Sequence, residues 1–260
     1  MAERKNIKQI QGSGERWRIR DYLLQLSVVV IGILITFQGS AWIERTSQRR
    51  ALTNTMSMVR EELADNLAGL DYIKSTLESD FEAAANLLRH SYRPDEVPDQ
   101  ILADYFPVML QTRNFRLPSN SFEVLKNSNQ TQAIKNKELL RNLFDRYEDI
   151  GFVMSNVDTY YRKKGAGMED LLTRTDSEMY EEGFRGNFKP YFTEYTKNVS
   201  TRNFLISTAN GNYSYLITSI DDLMEGILSV IGQIDSEFKP GKDRRPLPVN
   251  QETDAIIDGE

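Results

Sequence analysis

The side chains that most often do chemistry in proteins are scarce in this sequence. It contains a single histidine, His90, and no cysteine. Nucleophilic triads and zinc sites draw on these residue types, so neither kind of site is supported. His90 follows Arg89 near the end of a predicted helix, where the helix dipole favours a solvated imidazole. The absence of cysteine also excludes a disulfide scaffold.

Adjacent carboxylates occur at Glu61–Glu62 and at Asp221–Asp222 and could serve acid–base catalysis or hold a cation. Neighbouring residues on a helix project about 100° apart, so we interpret both pairs as solvated helix faces. The run Gly165–Gly167 lacks the preceding strand that a dinucleotide-binding loop requires. We therefore predict that the chain is not an enzyme and that it binds no cofactor or metal.

Aromatic residues are concentrated between residues 180 and 215, well above the 10% average of the chain. Such residues can line a ligand pocket, but a stripe at helical spacing more often packs in a core, and we favour packing. The candidate ligand or core aromatics are Tyr180, Phe184, Phe188, Tyr191 and Tyr195.

The element that dominates the N-terminal part is an uncharged segment over residues 22–42. Eleven of its 21 residues are Leu, Ile, Val or Phe. A helix of this length covers about 31 Å, enough for a hydrocarbon core of roughly 30 Å. Tyr22 and Trp42 flank the segment and are predicted to be membrane-interface anchors. The pattern predicts a single-pass transmembrane helix.

Two alternatives to a membrane anchor are compatible with an apolar N-terminal segment. A cleaved signal peptide would also carry a basic arm, and Gly39–Ala41 loosely fits its cleavage pattern. However, the apolar region is longer than a usual signal core and runs directly into another helical pattern. A buried helix of a soluble core is the weaker alternative, because such long uncharged segments are rare in cores.

The charge of the chain is unevenly distributed. Residues 1–21 carry six basic and three acidic side chains, so this arm has a charge of +3 and the remainder a charge of −9. An acidic body argues against a nucleic-acid partner, whereas the arm suits anionic membrane lipid. The positive-inside rule favours a cytoplasmic N-terminus and a periplasmic C-terminal domain in a bacterial inner membrane, and the opposite orientation stays open.

One face of the predicted membrane helix carries small residues at every fourth position: Gly32, Thr36 and Ser40. Such a face allows two helices to approach closely, and the amides of Gln25 and Gln38 could hydrogen-bond across the contact. The pattern therefore indicates a helix-association face and a homo-oligomer, although single helices also contain such residues.

Beyond the membrane segment, apolar residues recur every three or four positions from Leu52 to Leu88. This period predicts one amphipathic stalk helix within residues 43–92, which Pro94 and Pro98 end. The stripe requires partner helices, in a bundle or a coiled coil.

The rest of the chain also follows helical periods, and no strand-like alternation competes with an all-α fold. A short helix is predicted over Asp99–Gln111, with an interruption at Pro107, and a second short helix begins with a capping box of Asn120 and Glu123. A longer helix is predicted over Lys137–Lys163, where Gly165 and Gly167 stop it. The last long helix is predicted from Phe204 to Phe238. The predicted organisation is a basic cytoplasmic arm (1–21), a transmembrane helix (22–42), a helical extramembrane domain (43–238) and a disordered acidic tail (239–260).

Two stretches of the sequence resemble one protein family. The run LSVVVIGILITFQGSAWIE, Leu26–Glu44, is similar to the signature VVIGILIAL-Q-x-x-x-W-x-E. Ser121–Ser128, Ala133–Leu139 and Tyr147 resemble an internal block y-x-x-L-x-x-S … L-I-x-N-x-x-L … Y. The signature and the internal block are both patterns of the uncharacterised DUF6090 family, which is found largely in Bacteroidota. Gly39–Ala41 departs from the Asn-rich run that is usual before the Trp in that family. The resemblance implies a bitopic bacterial membrane protein with a helical extramembrane domain, and it adds no catalytic residue.

These patterns leave three functional hypotheses. The first is a non-enzymatic inner-membrane protein whose helical domain is a scaffold or binds an unknown protein partner. The alternative is a sensor, in which the aromatic region binds a small ligand and the stalk transmits a shift across the membrane. An enzyme of unknown type is the least favoured of the three.

Overall fold

The computed structural model describes residues 7–90 and 93–238, without the side chains of residues 7–23, 37, 40, 41, 95 and 184. The predicted acidic tail at 239–260 lies outside the described residues. So do the side chains of Tyr22, Ser40 and Phe184, three of the predicted site residues.

The described part of the chain is all-α, as predicted, and it contains no strand. Its α-helices are α1 (Ile7–Leu88), α2 (Asp99–Leu110), α3 (Asn120–Asn127), α4 (Lys137–Arg174), α5 (Ser177–Phe184), α6 (Lys189–Lys197), α7 (Val199–Ala209) and α8 (Tyr215–Glu237). Short 3-10 helices precede α2 and follow α3. The chain divides into two compact units, Met1–Asn54 and Thr55–Glu260.

The second unit is a bundle built on the C-terminal part of α1, which carries the predicted apolar stripe. The buried members of the stripe in this unit are Met56, Val59, Leu63, Leu67, Leu70, Ile73, Leu77 and Ala84. Their spacing places one apolar face toward the neighbouring helices, which confirms the amphipathic pattern. The last helix, α8, buries a similar stripe from Leu216 to Ile234.

Polar contacts between the long helices define their directions. Glu62 of α1 contacts Tyr147 of α4, and further along α1 Asp80 contacts Lys164, which is also further along α4. Helices α1 and α4 therefore run parallel. Arg60 and Lys74 of α1 pair with Asp235 and Asp221 of α8, so α8 runs antiparallel to α1. The three long helices therefore form the frame onto which the shorter helices pack.

Two glycines that were predicted to stop α4 lie inside it. The helix continues through Gly165 and Gly167 to Arg174. A Cβ atom at Gly167 would lie 3.2 Å from Cγ2 of Thr201, tighter than an ordinary contact. Gly167 thus permits close packing of α7 on α4, and this packing outweighs the low helix propensity of glycine.

The predicted last long helix is two helices. Gly211 has a φ of +77° and lies in the turn that separates α7 from α8. This left-handed conformation is one that glycine adopts without steric cost. Helix α2 differs in the opposite way, because the predicted interruption at Pro107 is absent and the helix continues to Leu110. The buried side chains of Phe106 and Met109, on either side of the proline, hold this turn of the helix in place.

Helix α3 is capped by a residue distant in sequence. The N-cap residue Ser119 makes no side-chain cap, and the predicted capping box of Asn120 and Glu123 is absent. Instead, the carboxylate of Glu62 accepts hydrogen bonds from the backbone N–H groups of Ser121 and Phe122 at 2.7 and 3.2 Å. The interpretation of Glu62 as part of a solvated face is therefore wrong, because this side chain is buried.

The same carboxylate also accepts a 2.6 Å hydrogen bond from the Tyr147 hydroxyl. Burial, followed by the hydrogen bond to Glu62, raises the pKa of Tyr147 well above its usual value. The hydroxyl therefore stays protonated and donates at all physiological pH values. Glu62 in this way joins α1 to both α3 and α4.

We predict that Glu62→Gln lowers the free energy of unfolding of the full-length protein by about 2 kcal/mol, because glutamine offers one acceptor oxygen in place of two charged ones. Denaturant unfolding followed by circular dichroism measures the loss. The matched control is Glu61→Gln, since Glu61 is exposed and its replacement should change stability by less than about 0.5 kcal/mol. Equal effects of the two substitutions would contradict this role of Glu62.

Candidate functional site

A buried ion pair lies at the centre of the second unit. The Lys164 ammonium donates to Oδ2 of Asp80 at 2.8 Å and to the backbone carbonyl of Val108 at 2.9 Å. The Tyr160 hydroxyl donates to the same carboxylate oxygen at 3.2 Å. Only 1% of the Lys164 side chain and 3% of the Asp80 side chain are exposed. The pair therefore connects α1, α4 and α2 out of reach of solvent.

Burial dominates the electrostatics of this pair. Desolvation raises the pKa of Asp80 and lowers the pKa of Lys164, and the attraction between the two groups opposes both shifts. Taking charges out of water is costly, so the ion pair depends on its complete set of hydrogen bonds. Because neither group meets solvent, the pair acts as a structural connection rather than as a ligand contact.

Sequence reasoning missed both members of this pair, although a signal was present. Asp80 follows Leu77 by three positions, and Lys164 follows Tyr160 by four. Both charged residues therefore occupy the apolar faces of their helices, where an unpaired charge would be unfavourable. Two charges on buried stripes indicate a buried pair, although the partner of each cannot be read from one sequence.

Most of the predicted aromatic set surrounds Phe106 of α2, which sequence reasoning did not single out. Phe106 makes edge-to-face contacts with Phe188, Tyr191, Phe192 and Tyr195 of the α6 region, with ring centroids 5.2–6.1 Å apart. Phe106, Phe192 and Tyr195 are fully buried. These rings form a core between α2 and α6.

Three of the predicted aromatics, Tyr180, Phe188 and Tyr191, line a cleft between α2, α4, α5 and α6, with a volume of about 680 Å³. Tyr180 and Tyr191 stand edge to face at 6.1 Å, and both line the cleft together with Phe188. The lining also includes Met168 and Leu172 of α4. The structure thus brings Tyr180, Phe188 and Tyr191 together at the cleft and places Tyr195 in the core.

The cleft contains one charged side chain among the described residues that line it, Glu169 of α4. This side chain is exposed, and no ion pair or hydrogen bond of its carboxylate occurs within the described ranges. The nearest lysine on the same helix, Lys164, is committed to Asp80 and Val108. The lining is therefore apolar with a single negative charge.

In the first unit, the predicted association residues lie along α1. The Thr36 hydroxyl donates to the carbonyl of Gly32 at 2.8 Å, and the Ser27 hydroxyl donates to the carbonyl of Leu24 at the same distance. Gln25 and Gln38 are exposed, and a Cβ at Gly32 would meet no atom within 4 Å. The predicted anchor Trp42 is 70% exposed.

Within the described ranges, no helix combines the length and the apolarity required of a membrane span. In the same ranges, no group of three or more acidic or imidazole side chains is arranged to hold a metal ion. His90 lies in the turn directly after α1.

Comparison with known proteins returned no match to a family model, a curated protein or a solved structure. The resemblance to the DUF6090 family therefore stays a prediction from the quoted residues.

For the buried ion pair, we predict that Lys164→Met lowers the free energy of unfolding by about 3–5 kcal/mol, because Asp80 would become a buried charge without a partner. Adding Asp80→Asn should recover about 1 kcal/mol or more of that loss, since the amide removes the buried charge and still accepts from Tyr160. Denaturant unfolding of the full-length variants measures both changes. Losses that simply add in the double variant would contradict the pairing.

Proposed function

We propose that the chain is a bitopic membrane protein, anchored through residues 22–42, whose helical second unit is a non-enzymatic binding module. The extent of the anchor is a prediction from the sequence. Its support in the structure is the exposure of consecutive apolar side chains on α1 between Leu24 and Ile35, each 45–68% exposed.

Consecutive residues of a helix project about 100° apart, so the run from Val28 to Ile31 covers every side of α1. A surface helix of a soluble domain instead shows one apolar stripe. A helix that is apolar on all sides is unfavourable in water and favourable in the hydrocarbon core of a bilayer. This observation carries the proposal of a membrane anchor.

The polar groups inside this segment are consistent with lipid surroundings. The hydroxyls of Ser27 and Thr36 bond to carbonyls of their own helix, which satisfies them without water. The interhelical hydrogen bonds of a homo-oligomer would then come from Gln25 and Gln38, with Gly32 allowing close approach. We include self-association through this face in the proposal.

The orientation that we propose has the N-terminal arm in the cytoplasm and the helical unit in the periplasm. Its support is the larger number of basic residues in the arm, compared with Arg45, Arg49 and Arg50 directly after the segment. The resemblance to the DUF6090 family is consistent with this arrangement.

A second candidate function is supported by the cleft of the second unit. A volume of about 680 Å³ lies within the range of roughly 300–1,000 Å³ that is typical of small-molecule sites. Tyr180, 40% exposed, and the neighbouring rings offer an accessible apolar surface. We infer a ligand-binding function for this cleft, as expected of a sensor domain.

The anchor is tested with the full-length protein in a bacterial host. We expect the protein to sediment with membranes and to resist alkaline carbonate extraction. Val29→Lys combined with Ile33→Lys should release it, because each lysine near the centre of a span opposes insertion by about 2.5–3.5 kcal/mol. Sedimentation followed by immunoblotting measures the distribution.

The matched control combines Glu225→Lys and Ser229→Lys, which add positive charge on an exposed part of α8 and should leave the protein in the membrane. In the same cells, Ser229→Cys introduces the only thiol and should react with a reagent that enters the periplasm but does not cross the inner membrane. Recovery of the unmodified protein in the soluble fraction would refute the anchor, and labelling only after lysis would reverse the orientation.

A further inference from the structure

The walls of the cleft are suited to a particular kind of molecule. Tyr180, Phe188 and Tyr191 contribute three aromatic rings to the lining, and Met168 and Leu172 contribute a thioether and an aliphatic side chain. The faces of aromatic rings carry partial negative charge, and sulfur is polarizable. An apolar body with a diffuse positive charge would be attracted by both kinds of side chain.

The charge of the cleft has the same sign as the ring faces. Glu169 is the only charged side chain among the described lining residues, and it has no ion-pair partner in the described part of the chain. A cationic ligand would form an ion pair with this carboxylate, and a neutral ligand would gain no such interaction. An anionic ligand would be repelled both by Glu169 and by the ring faces.

We propose that the cleft binds a hydrophobic monocation, an ammonium group carried on an aromatic or branched aliphatic body. The ammonium group lies against Glu169 and the aromatic faces, and the body fills the space beside Met168 and Leu172. This inference rests on the ligand-binding function proposed above, and it adds the charge and the chemical class of the ligand.

The test uses the full-length protein in lipid nanodiscs and three compounds that share a phenylbutyl body. These are the trimethylammonium cation, the neutral alcohol and the carboxylate anion. Isothermal titration calorimetry measures the dissociation constants, and empty nanodiscs correct for partitioning into lipid. We expect the cation to bind about tenfold more tightly than the alcohol, and the carboxylate to bind most weakly.

Substitutions in the cleft assign the preference to its residues. Glu169→Gln should weaken binding of the cation about fivefold, with little change for the alcohol. Tyr180→Ala should weaken binding of the cation about tenfold, since it removes a ring face together with apolar contact. The matched controls are Glu148→Gln on the same helix and Tyr215→Ala on α8. Both side chains are exposed and neither lines the cleft, so these variants should bind as the parent does.

A cleft-filling variant separates this inference from the broader function. Leu172→Trp changes an exposed side chain, so it should leave the thermal unfolding curve unchanged and abolish binding of all three compounds. If the alcohol or the carboxylate binds the parent as tightly as the cation does, and Leu172→Trp abolishes that binding, the cation proposal is wrong while the ligand-binding function stands. If none of the three compounds binds, or if Leu172→Trp leaves binding intact, both proposals are wrong.

Discussion

The contact between Asp80 and Lys164 is the constraint on which the arrangement of the second unit depends. A buried carboxylate and a buried ammonium are tolerated only when each finds its partner in the correct place. Here that requirement aligns α1 with α4, and the additional bond from Lys164 to the carbonyl of Val108 positions α2. Helices α2 and α4 form two walls of the cleft. The buried pair therefore joins two of the helices that line the candidate site, and neither of its members lines the cleft.

Helix α1 shows two different surface patterns along its length. Between Leu24 and Ile35 its apolar side chains are exposed on every side, whereas from Met56 to Leu77 an apolar stripe lies on one buried face, and only Met58 and Tyr72 are large apolar side chains exposed outside it. The first pattern is suited to lipid and the second to protein neighbours. Glu62 lies within the second part and Asp80 directly after it, and α3 and α4 supply their partners. This division supports a chain that combines an anchor with a separate binding module.

Periodic patterns predicted the helices well, and non-local contacts account for most of the differences. The all-α class and the buried stripe of α1 follow from residue spacing alone. Gly167 was misjudged because its close contact with Thr201 involves a distant helix. The cap of α3 by Glu62 and the ring cluster around Phe106 also join distant segments. Of the predicted aromatics, spacing could not separate Tyr180 at the cleft from Tyr195 in the core, because both follow the same period.

We propose that α1 is surrounded by lipid between residues 28 and 35 and by protein between residues 56 and 77. A nitroxide scan of this cysteine-free chain, reconstituted in liposomes, compares collisions with oxygen and with a water-soluble nickel complex. At every position from 28 to 35, the account predicts high oxygen and low nickel accessibility without a helical period. From 56 to 77 it predicts a period of about 3.6 residues, with both reagents excluded at Met56, Val59 and Leu63. Periodic nickel accessibility between 28 and 35 would contradict it.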